Sequence, residues 1–149
     1  VSYDINFWFP RVGTVFEDWV ESFDGIYPVE EQHLLAAALD GVLVQARTAL
    51  PASAYSECGG GFALDDEATA ISFGYSPYGV SLSCPYRTGG GEFRITAMYG
   101  IAQAVSSCVG LQAYDPQIEG IAEPRNRAAA IHAYEEAARF AASLFSQSD

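Results

Sequence analysis

Groups able to do covalent or metal chemistry are few in this chain. There are two histidines, His33 and His132, and three cysteines, Cys58, Cys84 and Cys108. Glu30 and His33 have the three-residue spacing that puts two ligands on one helix face. A di-iron bundle needs a second such pair, and none is present. His132 is followed by Glu135 and Glu136, the reverse order. The cysteine spacings fit neither a zinc signature nor a disulfide framework. Cys84 and Cys108 continue apolar stripes and read as core. Cys58 reads as exposed, but Glu57 and Asp65–Glu67 nearby oppose a thiolate. No G-x-S-x-G elbow is present. No catalytic residue, cofactor or metal site is therefore expected.

Two glycine runs remain, Gly59–Gly61 and Gly89–Gly91. The second leads into a helix start, where free backbone N–H groups can hold an anion, and Arg87 and Arg94 flank it. It lacks the lysine of a P-loop and the spacing of a dinucleotide fingerprint. A small-molecule pocket near Gly89–Arg94 stands as one alternative, and a flexible connection as the plainer one. Asp65, Asp66 and Glu67 form the densest acidic run, without the alternating oxygens and glycine turn of a calcium loop.

The chain has 149 residues, 19 acids and seven bases, for a formal net charge of -12. All seven bases are arginine, so lysine-dependent chemistry is absent. Such a surface repels phosphate backbones and anionic headgroups, which excludes nucleic acid and membranes as expected partners. Residues 1–67 hold twelve acids against two arginines, and residues 68–149 hold seven against five. The excess is either a solvated surface or a docking face for a basic partner. Unpaired cysteines and the lack of a leader-like segment at Val1 give a cytoplasmic expectation.

Periodicity supplies the elements that would position these groups. Ser2–Phe9 alternates, with Tyr3, Ile5, Phe7 and Phe9 on one side and Asp4, Asn6 and Trp8 on the other, which predicts a half-buried strand. Thr14 and Glu17 match a capping box that opens a short helix with a Phe16, Trp19, Val20, Phe23 stripe. A longer helix is expected between Pro28 and Pro51, with Leu34 to Ala46 giving a continuous apolar face. Residues 51–67 read as a long loop. Ala70–Tyr75 and Tyr78–Cys84 predict a hairpin around Ser76-Pro77. A helix follows over 92–109, with Phe93, Ala97, Ile101, Ala104, Val105 and Cys108 as its stripe. Leu111–Tyr114 is a short strand and Glu119–Glu123 a candidate edge strand. A last helix spans about Pro124 to Gln147.

This order reduces to βαββαβ plus one helix. The expected fold is α+β: a ferredoxin-like, split βαβ antiparallel sheet with helices on one face and an added C-terminal helix. Residues 1–149 read as one domain, with 1–123 as its core and 124–149 as the appended helix. That helix could lie beside the others, cover the open sheet face, or pair with another subunit. The face opposite the helices would carry Asn6, Trp8, Ser72, Gly74, Ser81, Ser83, Gln112 and Tyr114. It is either such a covered face or a contact surface, with Trp8 and Tyr114 as aromatic anchors.

Three segments carry a resemblance: Ser2-Tyr3-Asp4-Ile5, Cys84-Pro85-Tyr86, and Gly110-Leu111-Gln112-Ala113-Tyr114-Asp115-Pro116-Gln117. They resemble small stand-alone actinobacterial proteins, a grouping that includes immunity proteins of polymorphic toxin systems. Together with the net charge of -12 and the missing catalytic motifs, the resemblance leads to the expectation of a protein without catalysis that neutralises a cognate toxin by occlusion. The expected partner is a basic protein. The expected contact residues are Asp65, Asp66 and Glu67, with Trp8 and Tyr114 as anchors. A structural homo-oligomer assembled through the alanine-rich last helix is the remaining alternative.

Overall fold

Alternation in Ser2–Trp8 makes β1, whose Tyr3, Ile5 and Phe7 are buried on one side. A computed structural model describes residues 1–146. After β1 come α1 (Phe16–Ser22), α2 (Val29–Ala37) and α3 (Leu39–Ala49). Next are β2 (Ala54–Cys58), β3 (Gly61–Asp65), β4 (Ser72–Ser76) and β5 (Gly79–Pro85). The chain then forms α4 (Gly91–Val109), β6 (Gln112–Asp115), β7 (Gly120–Ile121), a 3-10 turn at Pro124–Asn126 and α5 (Arg127–Ser146).

All strands join one antiparallel sheet in the order β2-β3-β4-β5-β1-β6-β7. The α+β antiparallel sheet is as expected, but it has seven strands where the ferredoxin-like core has four, because extra strands extend both edges. The largest difference lies in residues 51–67, expected as a loop. They form the β2–β3 hairpin, closed by Gly59 and Gly60 at φ 56 and 78. Both turn residues in the left-handed region make a two-residue type I′ turn, whose twist matches that of paired strands. Phe62 and Leu64, two apart and fully buried, anchor the hairpin.

The helices depart from expectation in three places. The single helix expected between Pro28 and Pro51 is two helices, interrupted at Ala38. Thr14 and Glu17 form no capping box: α1 starts after Val15 with no side-chain cap. Phe93 on α4 is 67% exposed, although its stripe was expected to be core. The central α4 instead buries Ile95, Met98, Tyr99, Ile101, Ala102, Ala104 and Val105. It lies between α3 and α5 and rests on the sheet, so its apolar surface is wider than one stripe. The expected end of the last helix, Gln147, lies outside the described residues.

Helices do not occupy one face alone. Tyr99 of α4 and Tyr134 of α5 reach the Tyr3 side of the sheet. The short α1 crosses to the other side, where Phe16 stacks on Tyr114 at 4.1 Å between ring centres and Trp19 meets Trp8. The last helix packs beside α4 and does not cover the second face.

One carboxylate ties three elements together. Asp115, at the end of β6, is fully buried. Its Oδ2 accepts hydrogen bonds from the Tyr3 hydroxyl on β1 and, at 2.6 Å, from the Tyr99 hydroxyl on α4. Its Oδ1 accepts from the Gln117 backbone N–H at 3.0 Å. Burial pushes the Asp115 carboxyl up from its ordinary value, and these three donors oppose that rise. Burial and the facing carboxylate drive both phenols upward, so they stay protonated donors.

Replacing Tyr3 or Tyr99 by Phe is expected to cost about 1.5–3 kcal/mol each, as a hydrogen bond to a charged buried group is lost. A raised carboxyl favours the fold in acid, and that contribution is lost as pH rises through the raised value. Removing both hydroxyls takes away two bonds that hold the Asp115 value down. The Tyr3→Phe/Tyr99→Phe variant should therefore fall further below the parent at neutral pH than near the unfolded-chain carboxyl value of about 4. Urea unfolding at the two pH values measures the difference.

Candidate functional site

Register defines what the second face of the sheet presents. Asp65, Ser72, Ser83 and Asp4 lie side by side on β3, β4, β5 and β1. The next row holds Ser56, Ala63, Gly74 and Ser81 on β2 to β5. Neighbouring strands are about 4.8 Å apart, so Asp4 and Asp65 are separated by roughly 14 Å across serine-lined backbone. Asp4, Asp65, Ser72 and Ser81 are exposed, while Gly74 and Ala63 are half-buried by neighbours in the sheet. A Cβ on Gly74 would approach the Ser81 side-chain Oγ to 2.8 Å, so the Ser81 hydroxyl occupies the space beside Gly74. Ser72 Oγ donates to Asp65 Oδ1 at 2.7 Å, and Ser2 Oγ donates to Asp4 Oδ2 at 2.9 Å.

The expected contact residues separate into different environments. Asp65 is exposed on this face, and Glu67 is exposed in the turn after it. Asp66 is 6% exposed and points inward. Its Oδ2 accepts from the Thr69 N–H at 3.0 Å and the Thr69 hydroxyl at 2.6 Å, which fixes the β3–β4 turn. Asp66 is therefore not an available contact. The three acids share a sequence run but not a surface.

Trp8 is also withdrawn from the expected role. It is 4% exposed, lies against Phe16 and Trp19, and donates its indole N–H to Gln112 Oε1 at 2.9 Å. Its outward parity is as expected, but α1 covers that end of the face. Tyr114 sits at the boundary, half-buried. One side stacks on Phe16, and its hydroxyl donates to Glu17 Oε1 at 2.9 Å. Burial, with Glu17 beside it, raises the Tyr114 phenol. Glu17 thus serves the sheet boundary and not a helix cap. The residue that sequence reasoning left out is Asp4. Its outward parity was legible, but its alignment with Asp65 depends on the strand order.

The alternative pocket near Gly89–Arg94 divides in two. A shallow groove of about 520 Å³ is lined by Gly90, Gly91, Glu92, Phe93, Thr96 and Glu135. It carries two carboxylates and no cation, which disfavours an anion there. Arg94 is occupied elsewhere: its Nε donates to Thr69 O at 3.0 Å and its Nη1 to Gly89 O. Arg87 lines a separate depression with Glu135 and Arg139, and neither histidine lines either hollow. His33 and His132 are exposed on α2 and α5. Among the described residues, no group of three or more His, Cys, Asp or Glu side chains could hold a metal ion.

The cysteines are all free, with Cys58 exposed, Cys84 buried and Cys108 intermediate. Burial pushes the Cys84 thiol up, while Tyr134 and the nearby arginines oppose the shift. Tyr134 joins α5 to the β5 end by donating to Pro85 O at 2.7 Å and accepting from the Arg87 N–H at 2.9 Å. Among the described residues, no helix is long and apolar enough to cross a membrane. No protein-family model, curated protein or solved structure matches the chain.

Alanine substitution separates these environments. Asp66→Ala should destabilise the protein by about 1–3 kcal/mol, because Thr69 loses its acceptor inside the turn. Asp65→Ala and Glu67→Ala should stay within about 0.5 kcal/mol of the parent, as exposed positions do. Chemical denaturation of the three variants checks the contrast. Equal losses at all three positions would contradict the assigned placements.

Proposed function

We propose that this chain is a protein-binding module of the immunity type, which occludes a basic toxin without catalysis. The observation that carries the reading is the uncovered middle of the second sheet face. Small side chains there allow close approach of a partner, and the exposed Asp4 and Asp65 carboxylates supply its charge. Glu67 extends the negative field beyond β3, and Tyr114 with the α1 acids borders it at the other end. A net charge of -12 would steer a cationic partner and speed encounter. Residue types at this face, serine hydroxyls and aspartate carboxylates, offer ion pairs and hydrogen bonds to a partner. The resemblance of the Ser2–Ile5, Cys84–Tyr86 and Gly110–Gln117 segments to small stand-alone actinobacterial proteins, a grouping that includes immunity proteins, supports the same reading. We further read β4-β5-β1-β6 as a split βαβ unit, enlarged by the β2–β3 hairpin and β7.

The test is protection during co-expression with the protein encoded beside this chain's gene. The parent should bind that protein and restore growth. Asp4→Arg/Asp65→Arg, at two exposed positions, should keep its fold and lose protection, with a slower and less salt-dependent association. A neighbour that is neither toxic nor bound would overturn the proposal, and so would undiminished protection by the variant.

A further inference from the structure

The two edges of the sheet are treated differently. At one end β7 has two residues, and Asn126 Nδ2 donates to Ile121 O at 2.8 Å. That edge is short and capped. At the other end β2 runs for five residues, all exposed, with no proline within it. Native sheets ordinarily protect such an edge, because its free N–H and C=O groups template another strand.

The hairpin fixes which groups are free. A two-residue turn makes Cys58 and Gly61 the first hydrogen-bonded pair, so Ser56 and Ala54 also bond inward to β3. Tyr55 and Glu57 therefore turn their backbone N–H and C=O groups out of the sheet. The Ser76–Gly79 closure of the next hairpin leads to the same alternation when followed back across β4 and β3.

We propose that the β2 edge pairs antiparallel with β2 of a second copy of this chain, extending one sheet through both subunits. This inference concerns an edge and does not rest on the toxin-binding reading of the face. Outward residues must meet outward residues, and the arrangement that uses both sets Tyr55 opposite Glu57 of the other copy, twice. Ser56 then faces Ser56 on the two-fold axis, and Ala54 faces Cys58. A shift that opposed the two Glu57 side chains would set like charges directly across the pair, which is unfavourable.

Charge complementarity supports that register. The Arg47 guanidinium lies over the Tyr55 ring, 4.7 Å from its centre. Among the described residues, neither Arg47 nor Glu57 has an ion-pair partner within the chain. Tyr55 lies on the helix side of the sheet, beside Phe62, and Glu57 shares that parity. In the dimer, Glu57 of one copy would stand beside the Tyr55 and Arg47 of the other. Two equivalent ion pairs would form, both on the helix side. Leu39, at the start of α3, lines the shallow groove along this edge with Tyr55 and Glu57.

Cross-linking tests the register. Ser56 would occupy a pair without backbone hydrogen bonds, with Cα atoms about 4.5 Å apart, inside the range a disulfide spans. The full chain carrying Ser56→Cys and Cys58→Ser should form a covalent dimer on mild oxidation, with the link mapped to position 56 in both copies. Cys58→Ser alone should not. Light scattering of the parent should give twice the 16.0 kDa chain mass. Glu57→Arg should weaken the dimer by about tenfold or more, and Arg47→Glu/Glu57→Arg should restore it. A monomeric parent overturns the proposal. So does a dimer that ignores Glu57→Arg and gives no position-56 link, which would move the contact to another surface such as the exposed Phe140 and Leu144 of α5.

Discussion

A buried carboxylate with its donors in place sets the registration of this fold. Asp115 has lost its water, and desolvating an ion costs several kcal/mol unless hydrogen bonds replace the solvent. Tyr3, Tyr99 and Gln117 supply them from β1, α4 and the turn after β6. The arrangement is stringent because strand parity has a period of two. A one-residue slip of β1 would carry Tyr3 to the opposite face and leave Asp115 short of a donor. The same slip would bring Ile5 and Phe7 out of the core, so apolar and polar demands enforce the same register. Tyr134, whose ring lies beside Tyr3, has a related role, holding the β5 end against α5.

With one face committed to this core, the other is divided. The chain leaving β1 at Pro10 turns across the sheet, and α1 seals the end where β1 meets β6. Trp8, Phe16, Trp19 and Tyr114 there form a continuous aromatic layer. Ring contacts of this kind bury large apolar area with defined geometry, so the short α1 can dock without a capped start. Beyond that layer the face changes character to serine, glycine, alanine and aspartate. Little apolar area is left there for a helix to bury, and its polar groups stay hydrated. The same composition keeps helices off and leaves the middle of the face open to solvent.

Much of the architecture was legible locally. The apolar run in 92–109 located α4 to within one residue of its observed start, and alternation identified β1 and the β4–β5 hairpin. The β2–β3 hairpin also had a signal in the two-apart Phe62 and Leu64 beside Gly59-Gly60. It was masked by the flanking acids and glycines, which resemble loop composition. The interruption at Ala38 had only a weak one in Gly41, three residues on, since the apolar stripe of α2 and α3 continues through both positions. Thr14 and Glu17 matched a capping pattern, but Tyr114, 97 residues away from Glu17, engages that side chain in the folded chain.

For the candidate site, the sequence by itself determined side-chain parity, charge and the scarcity of reactive groups, because these depend on residue type and on spacing of two or three to four. It could not decide which outward residues remain outside. Trp8 and Asp4 share one parity on one strand, yet α1 buries the first and leaves the second exposed. Asp65 and Asp66 are adjacent, yet opposite parity sends one to the open face and the other into a turn. Partners for Asp115 and the alignment of Asp4 with Asp65 arise only when strands distant in sequence become neighbours. Exposure is a property of what packs above a residue, and that is set by chain reversal and strand order.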